Sequence, residues 1–574
     1  MGKSRMRVCG HGASRGVATG PAFVMPGRPS VEKRVIAEEV VEAEIARLHA
    51  ALQDAREELE ALRDRAEREL GAEEAAIFSA HLLMLEDPEL VHRAEQYIRT
   101  ERCNAEWAQK RAGEEIAAEL AAIPDDYLRA RADDVRDVSM RVVSLLSGVP
   151  RAALSKPDQP AIIVADELLA SDIAHFDRSM ILGIAMQTGS PTSHAAILAR
   201  SMGLPAVLGA PGLLDAVRTG DVLVVNGDAG EVIINPDAAE LATWEEQRRA
   251  RDRRRQELQA LSALPAATTD GHAVEVAANI GFPADVEPAL AAGAEGVGLF
   301  RTEFLFLDRA APPSEEEQFA AYSQVARALA GRKVIIRTLD IGGDKHLPWL
   351  AQENEANPFL GLRGARLCLW HQEVFRTQLR ALLRASAEGN IWVMFPMISD
   401  VKEVLEIRRV VNEVSDQLAA AGVPHRVPTL GIMVEVPSAA LTVEAFLDEV
   451  DFVSIGTNDL TQYTLAADRT NASVASLADP LHPAVLRLIA HVVEAVRQAG
   501  KWVGVCGDLA GDPVAAPVLV GLGVDELSMA ASLIPEVKAA VRSLSFADAR
   551  RLALRAKSCR TAGEVREVLQ QVTA

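Results

Sequence analysis

One histidine, His194, follows a short run of turn-forming and hydroxyl residues, Gly189-Ser190-Pro191-Thr192-Ser193. The small and apolar residues from Ala195 to Arg200 predict a helix after it, with Thr192 or Ser193 as a suitable N-cap. A helix N-terminus offers free backbone N–H groups and the positive end of the helix dipole to an anion. An imidazole held there can accept a phosphoryl group, because donors for the product dianion are already in place. The plainer interpretation is a capping turn that contains a hydrogen-bonded histidine.

The second half of the chain carries arginines, carboxylates and a thiol close after apolar segments. These residues are Arg301, Arg337, Glu435, Asn458, Asp459, Arg469 and Cys506. The arginines suit a small substrate with phosphate and carboxylate groups. Glu435 and Asp459 offer the hard oxygen ligands that Mg²⁺ uses together with a substrate phosphate. The thiol of Cys506 can pass a proton to carbon, and the alternative is that this cysteine only fills space in a core.

Eight apolar strand candidates, separated by helical segments, must position these residues. The candidates are Val274–Ile280, Gly296–Phe300, Val334–Leu339, Ile391–Met397, Thr429–Val434, Phe452–Gly456, Val503–Cys506 and Glu526–Ser528. This pattern over about 300 residues predicts a (β/α)₈ barrel, and a doubly wound sheet is the alternative. In a barrel the C-terminal ends of the strands surround one mouth, where the polar residues would converge.

The rest of the chain predicts a multidomain α/β protein. Short apolar strands in residues 1–27 and 151–237 predict one discontinuous α/β domain, interrupted over residues 30–148 by an all-helical insert. Residues 238–264 predict a connecting helix that ends at the Leu264-Pro265 step, and residues 266–574 hold the barrel. Within the insert, apolar spacing predicts helices over 37–70, 72–85, 88–119 and 125–147.

Composition narrows the cellular context and the class of partner. The net charge of −21 at pH 7 argues against a nucleic acid or an anionic membrane surface and permits a basic protein partner. The five cysteines are scattered without metal-ligand spacing, which favours free thiols in a reducing cytoplasm. No apolar run reaches transmembrane length and no apolar signal segment follows the first residues, so we expect a cytoplasmic protein.

Several segments resemble bacterial enzyme I of the phosphoenolpyruvate-dependent sugar phosphotransferase system. They are Gly296–Phe306, Arg337–Lys345, Asn357–Arg363, Gly431–Glu435, Ser454–Tyr463 and Cys506–Asp512. The stretch Thr192-Ser193-His194 falls where that family keeps its phosphorylated histidine. The resemblance covers nearly the whole chain in order and spacing, and the helical insert is similar mainly in its layout.

The resemblance implies transfer of the phosphoryl group of phosphoenolpyruvate to Nε2 of His194, with release of pyruvate, and then to a histidine of the carrier protein HPr. It implies that the α/β domain swivels between these two tasks and that the barrel forms a homodimer. It implies Mg²⁺ held by Glu435 and Asp459, and protonation of enolpyruvate at C3 by Cys506. The implied substrate-binding residues are Arg301, Arg337, Arg363, Asn458, Asp459 and Arg469, and the implied HPr-docking face of the insert includes His81, Glu86 and Asp87.

Two positions depart from the family pattern, and three alternative functions remain. Ser190 replaces the second glycine of Gly-Gly-x-Thr-Ser-His, and Asp508 replaces the glutamate that commonly follows Cys-Gly. The first change bears on the flexibility of the loop and the second on the positioning of Cys506. One alternative function is a relative that serves a nitrogen-linked regulatory carrier. Another is phosphoenolpyruvate synthase or pyruvate phosphate dikinase, which need a further nucleotide-binding domain, and the third is a catalytically idle scaffold.

Overall fold

The computed structural model describes residues 5–25, 31–69, 72–122, 126–148, 157–168, 172, 178–189, 193–307, 309–342, 347, 349–350, 355–471 and 473–573. The chain divides into two compact units, Met1–Arg253 and Arg254–Ala574. Within the described ranges, no helix is both long enough and apolar enough to cross a lipid bilayer.

The first unit contains eight strands and the second unit eight more. The strands are β1 (Met6–Cys9), β2 (His11–Ser14), β3 (Val17–Val24), β4 (Ala161–Ala165), β5 (Ile181–Met186), β6 (Ala206–Leu208), β7 (Val222–Asn226), β8 (Glu231–Ile234), β9 (Glu275–Ile280), β10 (Val297–Arg301), β11 (Val334–Arg337), β12 (Ile391–Phe395), β13 (Thr429–Val434), β14 (Phe452–Ile455), β15 (Trp502–Val505) and β16 (Glu526–Met529). The count refers to the described residues.

The described α-helices are distributed over both units. They are α1 (Val41–Glu69), α2 (Ala72–Leu85), α3 (Pro88–Glu101), α4 (Ala105–Ala121), α5 (Asp126–Leu146), α6 (His194–Ser201), α7 (Leu213–Ala216), α8 (Ala238–Ser262), α9 (Val286–Ala291), α10 (Glu315–Ala328), α11 (Ala365–Trp370), α12 (Gln372–Ala385), α13 (Val401–Ala420), α14 (Pro437–Leu441), α15 (Thr457–Leu465), α16 (Pro483–Gln498), α17 (Ala516–Leu522), α18 (Ile534–Arg542), α19 (Phe546–Ser558) and α20 (Ala562–Thr573).

Helices α1 to α5 form the insert, and one of its predicted helices is divided in two. The single helix predicted over 88–119 is wrong, because Arg102 adopts the left-handed conformation with φ 49° and ends α3. The backbone there pairs with an earlier segment instead of continuing the helix. Val35 forms an antiparallel bridge with Cys103, and Arg34 donates its backbone N–H to Asn104 Oδ1 at 2.8 Å. No glycine or proline marks this break in the sequence.

The α/β part of the first unit is one sheet of eight described strands in the order β1-β8-β7-β3-β4-β5-β6-β2. Its first three strands precede the helical insert in the chain and the other five follow it. The central neighbours β3, β4, β5 and β6 are parallel, and all five residues of β4 are buried. Helix α6 follows β5 and contacts β2 and β6, so the sheet supports the start of the helix at His194.

The second unit is a closed barrel of parallel strands in the order β10-β11-β12-β13-β14-β15-β16-β9. This confirms the barrel prediction and rejects the doubly wound sheet. Side chains alternate between two cores, as the strand period of two requires. One core, including Val276, Ile336 and Val393, lies between the strands and the helices. The other lies inside the barrel and consists of Leu299, Ile335, Met394, Met433, Phe452 and Cys506.

The N-terminal end of the barrel is closed by a buried ion-pair cluster. Lys333, which precedes β11, lies 2.7 Å from Glu275 and 3.0 Å from Glu526. Its ammonium group also stands 3.8 Å from the centre of the Trp502 ring. Charged groups at this end of a barrel serve stability, because removing one partner would leave the others buried without compensation.

The connecting helix predicted over residues 238–264 is α8, and the division between the two units falls within it. Its C-terminal end is fastened to the barrel by Lys538. The buried Nζ of Lys538 donates to the carbonyl oxygens of Ser262 at 3.1 Å and Leu264 at 2.9 Å. These bonds satisfy carbonyl groups that a helix end leaves without partners.

Candidate active site

A cavity of about 310 Å³ opens at the C-terminal ends of the barrel strands. Among its lining residues are all the substrate and metal ligands predicted in the barrel, together with Cys506. The described lining residues are Leu299, Arg301, Glu303, Arg337, Asp340, Gly342, Arg363, Met433, Glu435, Gly456, Asn458, Asp459, Arg469, Cys506, Gly507 and Asp508. The barrel therefore brings together groups that are separated by up to about 200 residues in the chain, as the ends of parallel strands do.

Arg337 is fixed at the end of β11 by two carboxylates. Its Nη2 donates to Glu303 Oε1 at 2.7 Å, and its Nη1 lies 2.8 Å from Asp340 Oδ2. Burial alone would lower the pKa of Arg337, but the neighbouring carboxylates outweigh burial and raise the pKa above its usual value. The guanidinium therefore stays charged, and its orientation is set before any substrate arrives.

Arg363 bridges two aspartates that come from different parts of the barrel. Its Nε and Nη2 face Asp340 at 3.1 and 3.2 Å, and its Nη1 and Nη2 face the two carboxylate oxygens of Asp459 at 3.0 and 3.1 Å. Nη1 also donates to the hydroxyl of Tyr463 at 3.2 Å. Burial opposes the charged form, but Asp340 and Asp459 raise the pKa of Arg363 above its usual value.

Glu435, which follows β13, is 1% exposed and has an unusual backbone donor. The N–H of Met397 donates to Glu435 Oε1 at 2.7 Å, and Met397 adopts the left-handed conformation with φ 58°. Burial raises the pKa of Glu435, and the negative charges of Asp459 and Asp340 raise it further, to about 8. Arg363 and Arg337 oppose this rise but do not cancel it.

Cys506 follows β15 and is 5% exposed. Burial raises the pKa of its thiol to about 11, against an opposing effect of the Ser454 hydroxyl. The thiol is therefore protonated at neutral pH, as a proton donor must be. The turn after Cys506 is tied to the segment just after the neighbouring strand β14, because Asp508 donates its backbone N–H to Asn458 Oδ1 at 2.9 Å.

The two remaining predicted arginines are less tightly held. Arg301 ends β10 beside Arg337 in the strand register, and it has no carboxylate partner among the described residues. The side chain of Arg469 is 39% exposed, and its Nη1 lies 3.6 Å from Asp459 Oδ2. Both side chains line the cavity, so they are the arginines best able to reorient around a bound anion.

Three residues of the site were not predicted from the sequence: Glu303, Asp340 and Tyr463. The two acids occur in the quoted motifs just after Arg301 and Arg337, so their position after strand ends was a usable signal. Tyr463 lies four residues after Asp459 on α15 and therefore on the same helix face. Its hydroxyl donates to the carbonyl of Phe359 at 2.5 Å and accepts from Arg363.

The histidine predicted to carry phosphate is the first residue of α6. Ser193 is the N-cap, and its hydroxyl accepts from the backbone N–H of Ala196 at 3.3 Å. This agrees with the predicted helix start. Ser190 and Thr192 lie outside the described residues.

The docking face predicted on the insert is only partly at the surface. His81 is 1% exposed, and its Nε2 lies 3.3 Å from Asp134 Oδ1 inside the bundle. The prediction that His81 belongs to the docking face is therefore wrong, because α2 directs this side chain toward α5 and away from solvent. Glu86 and Asp87 are exposed, although Asp87 also caps α3 by accepting from Glu89 N at 2.9 Å.

Three family models match successive parts of the chain. They are described as PEP-utilising enzyme, N-terminal, over residues 9–131; PEP-utilising enzyme, mobile domain, over residues 157–230; and PEP-utilising enzyme, PEP-binding domain, over residues 255–546. PEP stands for phosphoenolpyruvate. The third match contains the barrel and its cavity.

Curated relatives match the chain along almost its whole length. A phosphoenolpyruvate-protein phosphotransferase of Geobacillus stearothermophilus is 47% identical over 97% of this chain and 96% of its own length. That of Bacillus subtilis (strain 168) is 45% identical over 97% of this chain and 98% of its own length. That of Staphylococcus carnosus (strain TM300) is 43% identical over 99% of both chains. The chain is therefore a transferase that belongs to the bacterial enzyme I family of phosphoenolpyruvate-protein phosphotransferases.

Proposed function

We propose that this enzyme moves the phosphoryl group of phosphoenolpyruvate to its own His194, releases pyruvate, and passes the group to a histidine of the carrier protein HPr. The observation that carries the proposal is the convergence of four arginines, five carboxylates, among them Glu435 and Asp459, and a protonated thiol on one cavity. These are the groups that binding a phosphate, a carboxylate and a reacting carbon requires.

In this proposal the arginines bind phosphoenolpyruvate and neutralise its charge. Arg337 and Arg363 are already fixed and charged, whereas Arg301 and Arg469 have more freedom to close around the ligand. Asn458 adds a side-chain amide from α15. Phosphoryl transfer needs positioning and charge neutralisation above all, and the arginine set supplies both.

Mg²⁺ fits the carboxylates of Glu435 and Asp459. Among the described residues, no group of three or more His, Cys, Asp and Glu side chains is arranged to hold a metal. Two carboxylates with a substrate phosphate are, however, the usual environment of Mg²⁺, and the negative charges of Asp459 and Asp340, which add to the effect of burial on the pKa of Glu435, favour a cation beside it. Bound there, the ion would neutralise charge on the transferring phosphoryl group.

The reaction needs one phosphoryl transfer and one proton transfer to carbon. The bond between phosphorus and the enol oxygen breaks as Nε2 of His194 forms a bond to phosphorus. The enolpyruvate left behind forms a C–H bond at C3 with the proton of the Cys506 thiol and becomes pyruvate. The thiolate then regains a proton from water. Helix α6 begins at His194, so its N-terminal N–H groups favour the phosphorylated product.

Three further elements complete the proposal. The α/β domain formed by residues 1–27 and 151–237 would swivel on the connecting helix, residues 238–264, so that His194 visits both the substrate and the carrier. The insert, residues 30–148, would dock HPr through an exposed face that includes Glu86 and Asp87. The barrel, residues 266–574, would form the homodimer in the cytoplasm.

Labelling with radioactive phosphoenolpyruvate in the presence of Mg²⁺ tests the proposal. The wild-type protein should acquire label that is stable to base and labile to acid, and His194→Ala should acquire none. The control is His49→Ala, which removes a histidine whose side chain is 54% exposed in the same unit and should label normally. Equal labelling of His194→Ala and wild type would contradict the proposal. Adding HPr or a nitrogen-branch carrier separately identifies which one accepts the label.

A further inference from the structure

We infer that Asn279 and Ser528 are positioning residues for the Cys506 thiol. The side-chain amide of Asn279 donates through Nδ2 to the backbone carbonyl of Cys506 at 3.1 Å. The hydroxyl of Ser528 donates to Asn279 Oδ1 at 2.6 Å. The inference rests on the proposed role of Cys506 as the proton donor, and it explains how that donor is held.

The backbone ladder of the barrel ends just before the thiol. The paired residues of β15 and β16 are Gly504 with Glu526 and Val505 with Leu527. Cys506 lies one residue beyond the last pair. On its other side its N–H donates to the carbonyl of Ile455 on β14 at 3.1 Å. The two peptide groups that flank the Cα of Cys506, and so set the direction of its side chain, are therefore held by different partners: one by the Ile455 carbonyl and the other by Asn279.

Asn279 reaches Cys506 across an intervening strand. It belongs to β9, which neighbours β16 and β10 but not β15. Ser528 is on β16, the strand between them, and its hydroxyl donates to the side-chain amide of Asn279. Three strands at the mouth of the barrel are thus tied by two side-chain hydrogen bonds.

The two bonds also determine which way the amide faces. Ser528 can donate to Oδ1, and the Cys506 carbonyl can only accept, so the reverse orientation would place two acceptors against each other. Gly298 leaves room for this arrangement, since a Cβ at that position would lie 2.5 Å from Ser528 Oγ. Asn279 is not among the described residues that line the cavity, and in this inference it acts through Cys506.

Proton transfer to carbon depends strongly on the distance and direction of the donor. A displacement of about 1 Å can lower a rate about 100-fold. Loss of the amide donor should therefore slow protonation of enolpyruvate at C3 without weakening the binding of phosphoenolpyruvate. A residue that only stabilised the barrel would instead lower stability and affinity together.

The experiment uses the full-length protein with Asn279→Leu, which keeps the side-chain size and removes the donor without adding charge. Three quantities are measured: kcat and KM for phosphoenolpyruvate in pyruvate formation, the solvent deuterium isotope effect on kcat, and the loss of deuterium from methyl-deuterated pyruvate at equilibrium. We expect kcat and deuterium loss to fall about 10- to 100-fold, with KM within about twofold of wild type and a larger isotope effect.

Three comparison variants make the result decisive. Ser528→Ala frees the amide and should cause a smaller change in the same direction, so it serves also if Asn279→Leu does not fold. Asn390→Leu makes the same change in an exposed asparagine just before β12, at the opposite end of the barrel, and should behave as wild type. In a Cys506→Ala background, Asn279→Leu should have no further effect on deuterium loss, because its action passes through the thiol.

The outcomes separate the two proposals. Wild-type kcat and isotope effect in both Asn279→Leu and Ser528→Ala would overturn this inference, and so would a fall in kcat with raised KM and an unchanged isotope effect. Normal deuterium loss in Cys506→Ala would instead overturn the proposed role of the thiol. A clear loss in Cys506→Ala with no change in the other two variants would leave the proposed function standing and reject the inference alone.

Discussion

Arg363 and Asp459 face each other through two parallel hydrogen bonds, Nη1 to Oδ1 at 3.0 Å and Nη2 to Oδ2 at 3.1 Å. The same guanidinium is held by Asp340 on its other edge. One planar cation therefore sets the position of a proposed metal ligand and of the acid that also binds Arg337. The active-site charges act as a connected unit, because each carboxylate is shared between neighbours.

Replacing Arg363 with lysine should damage the site although the charge is kept. An ammonium group cannot bond to both aspartates in a plane, so Asp459 should lose its fixed orientation. We expect the rate of His194 labelling to fall about 10- to 100-fold. The control is Arg366→Lys, a half-buried arginine whose nearest carboxylate is 3.9 Å away. Equal rates in Arg363→Lys and wild type would contradict the assignment.

The thiol of Cys506 should react with alkylating agents in a manner set by its raised pKa. Because the pKa is about 11, the thiolate fraction should still be rising at every pH below that value. The alkylation rate of Cys506, followed by mass spectrometry of its peptide, should therefore increase about tenfold for each pH unit between 7 and 9.5. A plateau near pH 8.5, the behaviour of an ordinary cysteine, would show that burial does not hold the proton.

Met397 should tolerate leucine better than isoleucine. Its φ of 58° is left-handed, and this conformation is least favourable for a side chain that branches at Cβ. We expect Met397→Ile to lower the free energy of unfolding of the barrel by about 1–2 kcal/mol relative to Met397→Leu. Leucine and isoleucine have the same volume, so the comparison isolates the effect of branching at Cβ. Urea unfolding measures the difference.

The same variant tests the N–H donated to Glu435. A backbone that leaves the left-handed conformation withdraws this donor from Oε1. The Mg²⁺ concentration for half-maximal labelling should then rise in Met397→Ile and stay near the wild-type value in Met397→Leu. Identical stability and Mg²⁺ dependence of the two variants would show that the conformation has no functional role.

The exposed face of the insert should affect transfer to the carrier alone. Leu83 is 73% exposed and lies near Glu86, so Leu83→Ser and Glu86→Gln should slow the passage of label to HPr without changing the labelling of His194. The effect of Glu86→Gln should weaken as salt is added. Asp87 is unsuitable for this test, because it also caps α3.

The matched control for this surface is Glu114→Gln, which removes the same charge from another exposed side chain of the insert. It should transfer label to HPr at the wild-type rate. If Glu114→Gln slows transfer as much as Glu86→Gln, the overall negative charge of the insert, and not a defined face, would govern its binding to HPr.

The sequence by itself determined the main architecture and the chemistry of the barrel mouth. Short apolar segments separated by helical segments predict strands that are buried on both faces, because burial removes their apolar surface from water. Strand ends then place the residues that follow them at one mouth, so Arg301, Arg337, Glu435 and Cys506 could be assigned together. The helix start at Thr192 or Ser193 could be predicted as well, since capping depends on neighbouring residues only.

Only the tertiary structure decided the contacts between distant segments. The left-handed backbone of Met397, the bridge between Val35 and Cys103 just after α3, and the burial of His81 against Asp134 all depend on partners from other elements. The reach of Asn279 across a strand to Cys506 is of the same kind. Local residue patterns carry no information about such partners, because the partner approaches only when the chain has folded. The sequence around each reacting group was therefore enough to identify it, whereas its orientation depends on contacts that only the folded structure provides.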